Sequence, residues 1–151
     1  MVKAVALGSK YAIPEMMKVG GGSIANVSSV HGFMVSRNNA PYDALKAAII
    51  NLTRQMAADY GEHGIRVNAL CPGWIVTAEG FERYEANPEQ VRRQKAICPL
   101  GRPGKVSEMA QVLLFLASDA SSFVTGHALV ADGGLTTQLQ DTVAGLMEQQ
   151  R

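Results

Sequence analysis

The chain has 151 residues, 47% hydrophobic and 18% charged, which is enough to bury a core of its own as one compact domain. Lys plus Arg total 14 against 13 Asp plus Glu, a formal net charge of +1, so nothing in the charge balance favours a nucleic acid or an anionic membrane as partner. The two cysteines, Cys71 and Cys98, have no metal-ligand spacing and read as reduced intracellular thiols rather than a disulfide framework.

At the start, Lys3 is followed by a short apolar run that Ser9, Lys10 and Glu15 interrupt, with no cleavage site after it. No segment reaches the ~20 apolar residues a membrane span needs. The expectation is a soluble cytoplasmic protein.

Taken in chain order, residues 2–18 carry Val5, Leu7, Tyr11, Ile13, Met16 and Met17 and stop at Gly20-Gly21-Gly22, which predicts a helix with a glycine-rich exit. Pro14 inside it predicts a kink or break. Ile24 to Val27 predicts a short strand, and residues 28–40, rich in Ser, Gly and Asn, a loop. Residues 41–60 are alanine-rich and apolar on most faces, which predicts a helix covered on more than one side, by a sheet and by another subunit. Gly61 and Gly64 close it.

Ile65, Val67, Ala69 and Leu70 predict a second strand ended by Cys71-Pro72-Gly73. Residues 79–104 read as polar and irregular, with a short helix near Pro88 to Lys95. Val106 to Ala117 has Val106, Met109, Ala110, Leu113 and Leu116 at helical spacing. His127 to Ala131 predicts a third strand, Asp132-Gly133-Gly134 a turn, and the segment from Leu135 a loosely held polar tail. The order βαβαβ, with right-handed crossovers, predicts an α/β fold with a parallel sheet covered by helices on both faces.

Within this pattern Ser29 stands thirteen residues before Tyr42, and Tyr42 and Lys46 are spaced i and i+4 on one helical face. A free phenol titrates near ~10 and is a poor acid or base at neutral pH. An ammonium one turn away favours the phenolate, and a serine hydroxyl can hold a substrate oxygen beside it. Such a set suits proton transfer to or from a carbonyl oxygen, coupled to hydride transfer at carbon. Against this, Tyr-x-x-x-Lys is common on helices by chance, and serines after a strand are commonly turn or cap residues. A hydrolase reading of Ser28-Ser29 fails for want of G-x-S-x-G and a partner base. His31, His63 and His127 are scattered and unpaired in sequence and read as surface or satisfied residues rather than ligands; there is no metal set.

Read together, GGSIANVSS at 21–29, YDALKAA at 42–48, IRVNALCPGWIVT at 65–77 and SDASSFVTGHALVADGG at 118–134 resemble the short-chain dehydrogenase/reductase family, over nearly all of the chain to Gly134. The resemblance implies a Rossmann-type doubly wound parallel sheet, of which this chain holds the last three strands with flanking helices: a single partial domain with a polar tail at 135–151. It implies NAD(P)-linked interconversion of a secondary alcohol and a ketone. Ser29 would orient the substrate oxygen and Tyr42 would be the acid/base. Lys46 would assist Tyr42 and hold the nicotinamide ribose. Pro72, Gly73, Ile75 and Thr77 match the loop against the nicotinamide, and Asn26 a position lining the cofactor channel. Trp74 would line the substrate pocket or is simply core, and residues 79–100 would form the substrate lid. Helices 2–18 and 41–60 and the segment 106–131 would form subunit interfaces of a dimer or tetramer.

The sequence also departs from the family pattern. Leu45 stands where serine is common before the lysine. The glycine-rich TGxxxGxG turn that seats a pyrophosphate is absent, as is the residue that chooses NAD or NADP, and a fourth catalytic asparagine would fall where Met1 stands. The strand 23–27 is then expected to be a bare sheet edge, and helix 41–60 to expose an apolar patch. Alternatives are a catalytically incompetent homologue serving as an oligomerising or interaction module, or a piece of a complete enzyme.

Overall fold

The computed structural model describes residues 1–139 and Gly145; the expected polar tail beyond Leu139 otherwise lies outside the described residues. The chain divides into two compact units, Met1–Cys71 with Gln111–Val130, and Pro72–Ala110 with the described residues from Ala131.

In the first unit, helix α1 (Val2–Lys18) leads to strand β1 (Gly22–Val27), helix α2 (Ala40–Tyr60) and strand β2 (Ile65–Pro72). Helix α5 (Val106–Ala117) from Gln111 onward and strand β5 (Ala128–Ala131) as far as Val130 complete it. The sheet order is β1-β2-β5, with β1 parallel to β2 in register from Gly22↔Ile65 to Val27↔Leu70. Strand β1 thus stands at an edge of this sheet, as expected. β2 is almost wholly buried, with Ile65, Val67, Ala69, Leu70 and Cys71 at 1% exposure or less. Its near-continuous apolar run is what a parallel strand covered on both faces requires.

The core packs α1 and α2 on the sheet. Ile13, Met56, Ala57, Ile65 and Val67 form one cluster, edged by Val5, Met16, Ile24, Leu52 and Tyr60; Ile50, Ala69 and Cys71 form a second, edged by Ala128. At roughly 1.5–3 kcal/mol per fully buried Ile, Leu or Val, these side chains drive the assembly. Asn68, on the central strand, is fully buried and satisfied: its Nδ2 donates to Val124 O (2.8 Å) and its Oδ1 accepts from His127 N (3.0 Å). It thereby seats the chain entering β5.

Helix α1 runs unbroken through Pro14, against the break expected there. Proline removes one helical N–H, to the carbonyl of Lys10. Pro14 lies on the exposed side while neighbouring Ile13 is anchored in the core, so the helix is held through the defect. Helix α2 exposes Ala44, Ala47, Ala48 and Ala58, so the apolar surface expected on it is made of small residues. At the α2–β2 junction Gly64 has φ +71, and a Cβ there would meet Gly20 O at 2.8 Å, so only glycine fits.

In the second unit the short helix expected near Pro88 to Lys95 is present, while the rest of 79–104 is more regular than expected. Helix α3 (Ala78–Glu85) precedes helix α4 (Pro88–Ile97), and the two-residue strands β3 (Ile75–Val76) and β4 (Gly104–Lys105) pair in parallel. Thr77 caps α3 by accepting from Gly80 N at 3.2 Å, and Asn87 caps α4 through Glu89 N and Gln90 N. Tyr84 is buried between Trp74 and Phe81, each ring 5.7 Å away, and donates its hydroxyl to Gly101 O. The Asp132-Gly133-Gly134 turn forms as expected, Asp132 accepting from Gly134 N and from the amide and hydroxyl of Thr136. Leu135–Thr137 make a single 3-10 turn. Among the described residues no helix is long and apolar enough to cross a membrane.

Candidate active site

The carboxyl end of β1 delivers Ser28 and Ser29, both buried. Ser28 continues the ladder, N to Leu70 O at 2.8 Å, and its hydroxyl donates to the main-chain oxygen of Lys46 at 2.7 Å. Ser29 caps a 3-10 turn, Val30–Gly32, where the sequence reading has only loop; its Oγ accepts from His31 N at 3.2 Å. An oxygen that accepts from a backbone amide still has its own hydrogen to donate. The turn lies directly on α2 because residue 32 is glycine: a Cβ there would collide with Ile50 Cδ1 and approach Lys46 O to 3.1 Å.

Helix α2 supplies Tyr42 and Lys46 from adjacent turns. Lys46 is buried at 8% exposure, with Nζ donating to Val27 O (3.2 Å) and lying 5.5 Å from the centroid of the half-buried Tyr42 ring. Among the described residues the Tyr42 hydroxyl has no hydrogen-bond partner. An ammonium carries three donors, and the Val27 carbonyl uses one. The donors left on a buried Lys46 suit the vicinal hydroxyls of a ribose, so these residues fit that part of a dinucleotide.

The structure corrects the reading of the histidines as unpaired. His31 Nδ1 is 2.7 Å from Asp43 Oδ1, and the His31 ring meets the Tyr42 ring edge-on, centroids 5.5 Å apart. Asp43 is itself buried, and also accepts from Ser36 N (2.9 Å) and Asn39 Nδ2 (2.8 Å). Burial alone raises its carboxyl pKa, but the Ser36 amide, His31 and Asn39 outweigh it and leave the carboxyl below its ordinary value. The only trace of this pair in the sequence is its proximity to the Ser29 and Tyr42 positions. His31 sits two residues after Ser29 and Asp43 follows Tyr42, but adjacency to those residues does not by itself say that the two side chains meet.

Asn26, 8% exposed, donates its amide nitrogen to Thr53 Oγ1 at 2.9 Å, which fastens the end of β1 to α2. Cys71 lies beneath the serines; burial pushes its thiol up, opposed by Ser28, Ser29, Lys46 and Arg54. Both cysteines are free thiols, as expected, and both are buried.

The second unit carries the other expected residues. Gly73 N donates to Ala131 O at 3.1 Å, and a Cβ at Gly73 would meet Asp132 at 2.8 Å, so glycine lets Pro72-Gly73 lie against that turn. Trp74 is 41% exposed and meets Tyr84 edge-on, so it is not simply core. Ile75 lies in β3 and Thr77 caps α3. Thr77 also lines, with Val76, Phe81, Glu82 and Lys105 among others, a cavity of about 390 Å³ in this unit. Among the described residues no group of His, Cys, Asp and Glu could hold a metal.

Residues 1–136 match the family model described as "Enoyl-(Acyl carrier protein) reductase". The chain is 44% identical over 139 residues to 2-(S)-hydroxypropyl-CoM dehydrogenase 3 of Xanthobacter autotrophicus, covering 89% of this chain and 54% of that protein. Among solved structures it is similar to a gluconate 5-dehydrogenase from Burkholderia cenocepacia in complex with NADP and tartrate (TM-score 0.77, 35% identity, 87% of this chain and 51% of that one). It is also similar to a 4-hydroxyisoleucine dehydrogenase complexed with NADH (TM-score 0.81, 34% identity, 90% and 56%). The chain spans about half the length of the curated relatives it matches. With the parallel sheet, the flanking helices and the ordered motifs on them, this match shows that the chain belongs to the short-chain dehydrogenase/reductase family.

Proposed function

We propose that the protein serves the interconversion of a secondary alcohol and a ketone, with NAD or NADP as redox partner and Tyr42 as the proton-transferring residue. The observation that carries this reading is the buried Lys46 ammonium 5.5 Å from the ring of Tyr42, whose hydroxyl has no hydrogen-bond partner among the described residues. In the oxidising direction the alcohol O–H proton passes to the Tyr42 oxygen as the carbon–hydrogen bond breaks, the electron pair leaving with hydrogen as hydride. Bound nicotinamide supplies the hydride acceptor, and the donor for the reverse reaction. Ser29 donates its hydroxyl hydrogen to the substrate oxygen and holds it for Tyr42. The Lys46 ammonium stabilises negative charge on the Tyr42 oxygen and offers its remaining donors, with Tyr42, to the nicotinamide ribose.

Asn26 fixes the strand end that bears Ser29. On the second unit Pro72, Gly73, Ile75 and Thr77 are the remaining cofactor-contacting residues and Trp74 the substrate-contacting one. The names of the similar proteins, a hydroxypropyl-CoM dehydrogenase and dehydrogenases of gluconate and 4-hydroxyisoleucine, support a small hydroxylated substrate. We extend the proposal to self-association of a cytoplasmic protein, since Leu114, Phe115 and Phe123 are large exposed apolar side chains that water disfavours.

A second reading, an interaction module without turnover, draws on the same exposed side chains together with the edge strand β1. Titrating the chain with NADH and with NADPH, followed by nucleotide fluorescence, separates the two. Saturable binding supports the oxidoreductase reading; no binding up to millimolar nucleotide contradicts it for this chain.

A further inference from the structure

The cavity of about 390 Å³ in the second unit falls in the ~300–1,000 Å³ range of small-molecule sites. Val76, Ala78, Phe81 and Val106 make much of its lining apolar, and Lys105 and Glu82 bring the two charges. The Lys105 ammonium lies 4.7 Å from the centroid of the Phe81 ring, which seats it against one wall. The nearby carboxylate of Glu108 is already engaged: it accepts from both terminal nitrogens of Arg102 and from the Lys105 amide, not from the ammonium. Among the described residues Lys105 Nζ has no hydrogen-bond acceptor and no ion-pair partner. The base of this side chain is fixed, because Lys105 pairs with Val76 in the β3–β4 ladder. Thr77, the next residue after Val76, lines the same cavity. An ammonium with three open donors, in one cavity with a threonine assigned to the cofactor, is suited to an anionic oxygen of that cofactor.

We propose that Lys105 binds the phosphate on the nicotinamide side of the dinucleotide, within this cavity. The role rests on the oxidoreductase reading, in which Thr77 contacts the cofactor. Lys105 contacts the phosphate, and Phe81 is a positioning residue that holds the ammonium against the wall. Glu82 opposes them, since its carboxylate lies in the same cavity and repels a phosphate. The two charges therefore set the affinity for the phosphate in opposite directions, while a ligand that lacks the phosphate feels neither.

The test measures binding of reduced nicotinamide riboside, reduced nicotinamide mononucleotide and NADH to the full chain by nicotinamide fluorescence at low ionic strength. It is run on the unaltered protein and on K105Q, K105R and E82Q. The mononucleotide is expected to bind roughly fivefold tighter than the riboside, the size of one exposed charge pair. K105Q brings that ratio toward one, K105R retains it and E82Q raises it; added salt lowers it in the unaltered protein. A merely structural role for Lys105 would weaken riboside and mononucleotide alike and leave the ratio where it was. Both positions are exposed, so the substitutions leave the fold intact. A ratio near one in the unaltered protein, or a ratio unchanged in K105Q, overturns the role of Lys105 while the measured binding upholds the oxidoreductase reading. If NADH alone binds measurably, its affinity carries the comparison, and an unchanged Kd in K105Q overturns the role. No binding of NADH up to millimolar concentration contradicts the oxidoreductase reading for this chain, and the role of Lys105 falls with it.

Discussion

The hydroxyl of Ser28 donates to the main-chain oxygen of Lys46 at 2.7 Å. Two adjacent serines are therefore placed differently: Ser28 ties strand to helix, and Ser29, which caps the next turn, is the one proposed to hold the substrate oxygen. S28A removes a buried hydrogen bond and is expected to lower stability by about 1 kcal/mol. S29A leaves that tie in place and lowers turnover instead. Urea unfolding of both variants beside a turnover assay checks the division; equal stability losses in both would contradict it.

Gly32 sets how closely the turn bearing His31 lies on α2. G32A forces a methyl against Ile50 Cδ1 and the Lys46 carbonyl, and is expected to cost about 1–3 kcal/mol. I50V removes the colliding Cδ1, so the double variant should lose less than the two single losses added together. Thermal unfolding of the four proteins in the cycle measures this, and strict additivity would place the strain elsewhere.

Much of this arrangement was legible before the structure. Helices α1, α2 and α5 carry apolar side chains at helical spacing, and β1, β2 and β5 are β-branched or apolar runs bounded by glycine, serine or proline, so length and period together identified them. Helix α3 was not legible because Ala78-Glu79-Gly80-Phe81 holds a glycine in its first turn and too few apolar positions to show a period. Its cap at Thr77 was the available signal. Strands β3 and β4 are two residues each, below what alternation can reveal. The approach of Lys46 to Tyr42 was readable because the i, i+4 spacing is local. The His31–Asp43 contact was not, since it depends on how the turn after β1 lies against α2.

Two carboxylates give the first and second units separate responses to acid. Glu108, hydrogen-bonded to Arg102 at 2.7 and 2.9 Å and to Lys105 N, is lowered from 4.5 to about 2, and Asp43 is lowered in the same direction. A carboxyl depressed in the folded state stabilises it fully above the unfolded pKa and loses that contribution as pH falls through the folded value. Stability should therefore decline between about pH 4.5 and 2 on account of Glu108. Glu108 and Arg102 are 41% and 37% exposed, so solvent screening limits the pair to at most about 1 kcal/mol. In E108Q that part of the decline should vanish, and in D43N the part due to Asp43. Urea midpoints measured across this pH range test both; a decline unchanged in either variant would show that the altered carboxyl does not contribute.

The central claim is that Tyr42 moves the proton, and the most direct test is the turnover of the Y42F variant with a secondary alcohol and NAD or NADP. Phenylalanine keeps the ring that packs against His31 and Lys46 and removes only the hydroxyl. The account predicts a loss of kcat/KM of at least about 10²-fold, with the variant still folded. Turnover by Y42F at the rate of the unaltered protein would contradict it.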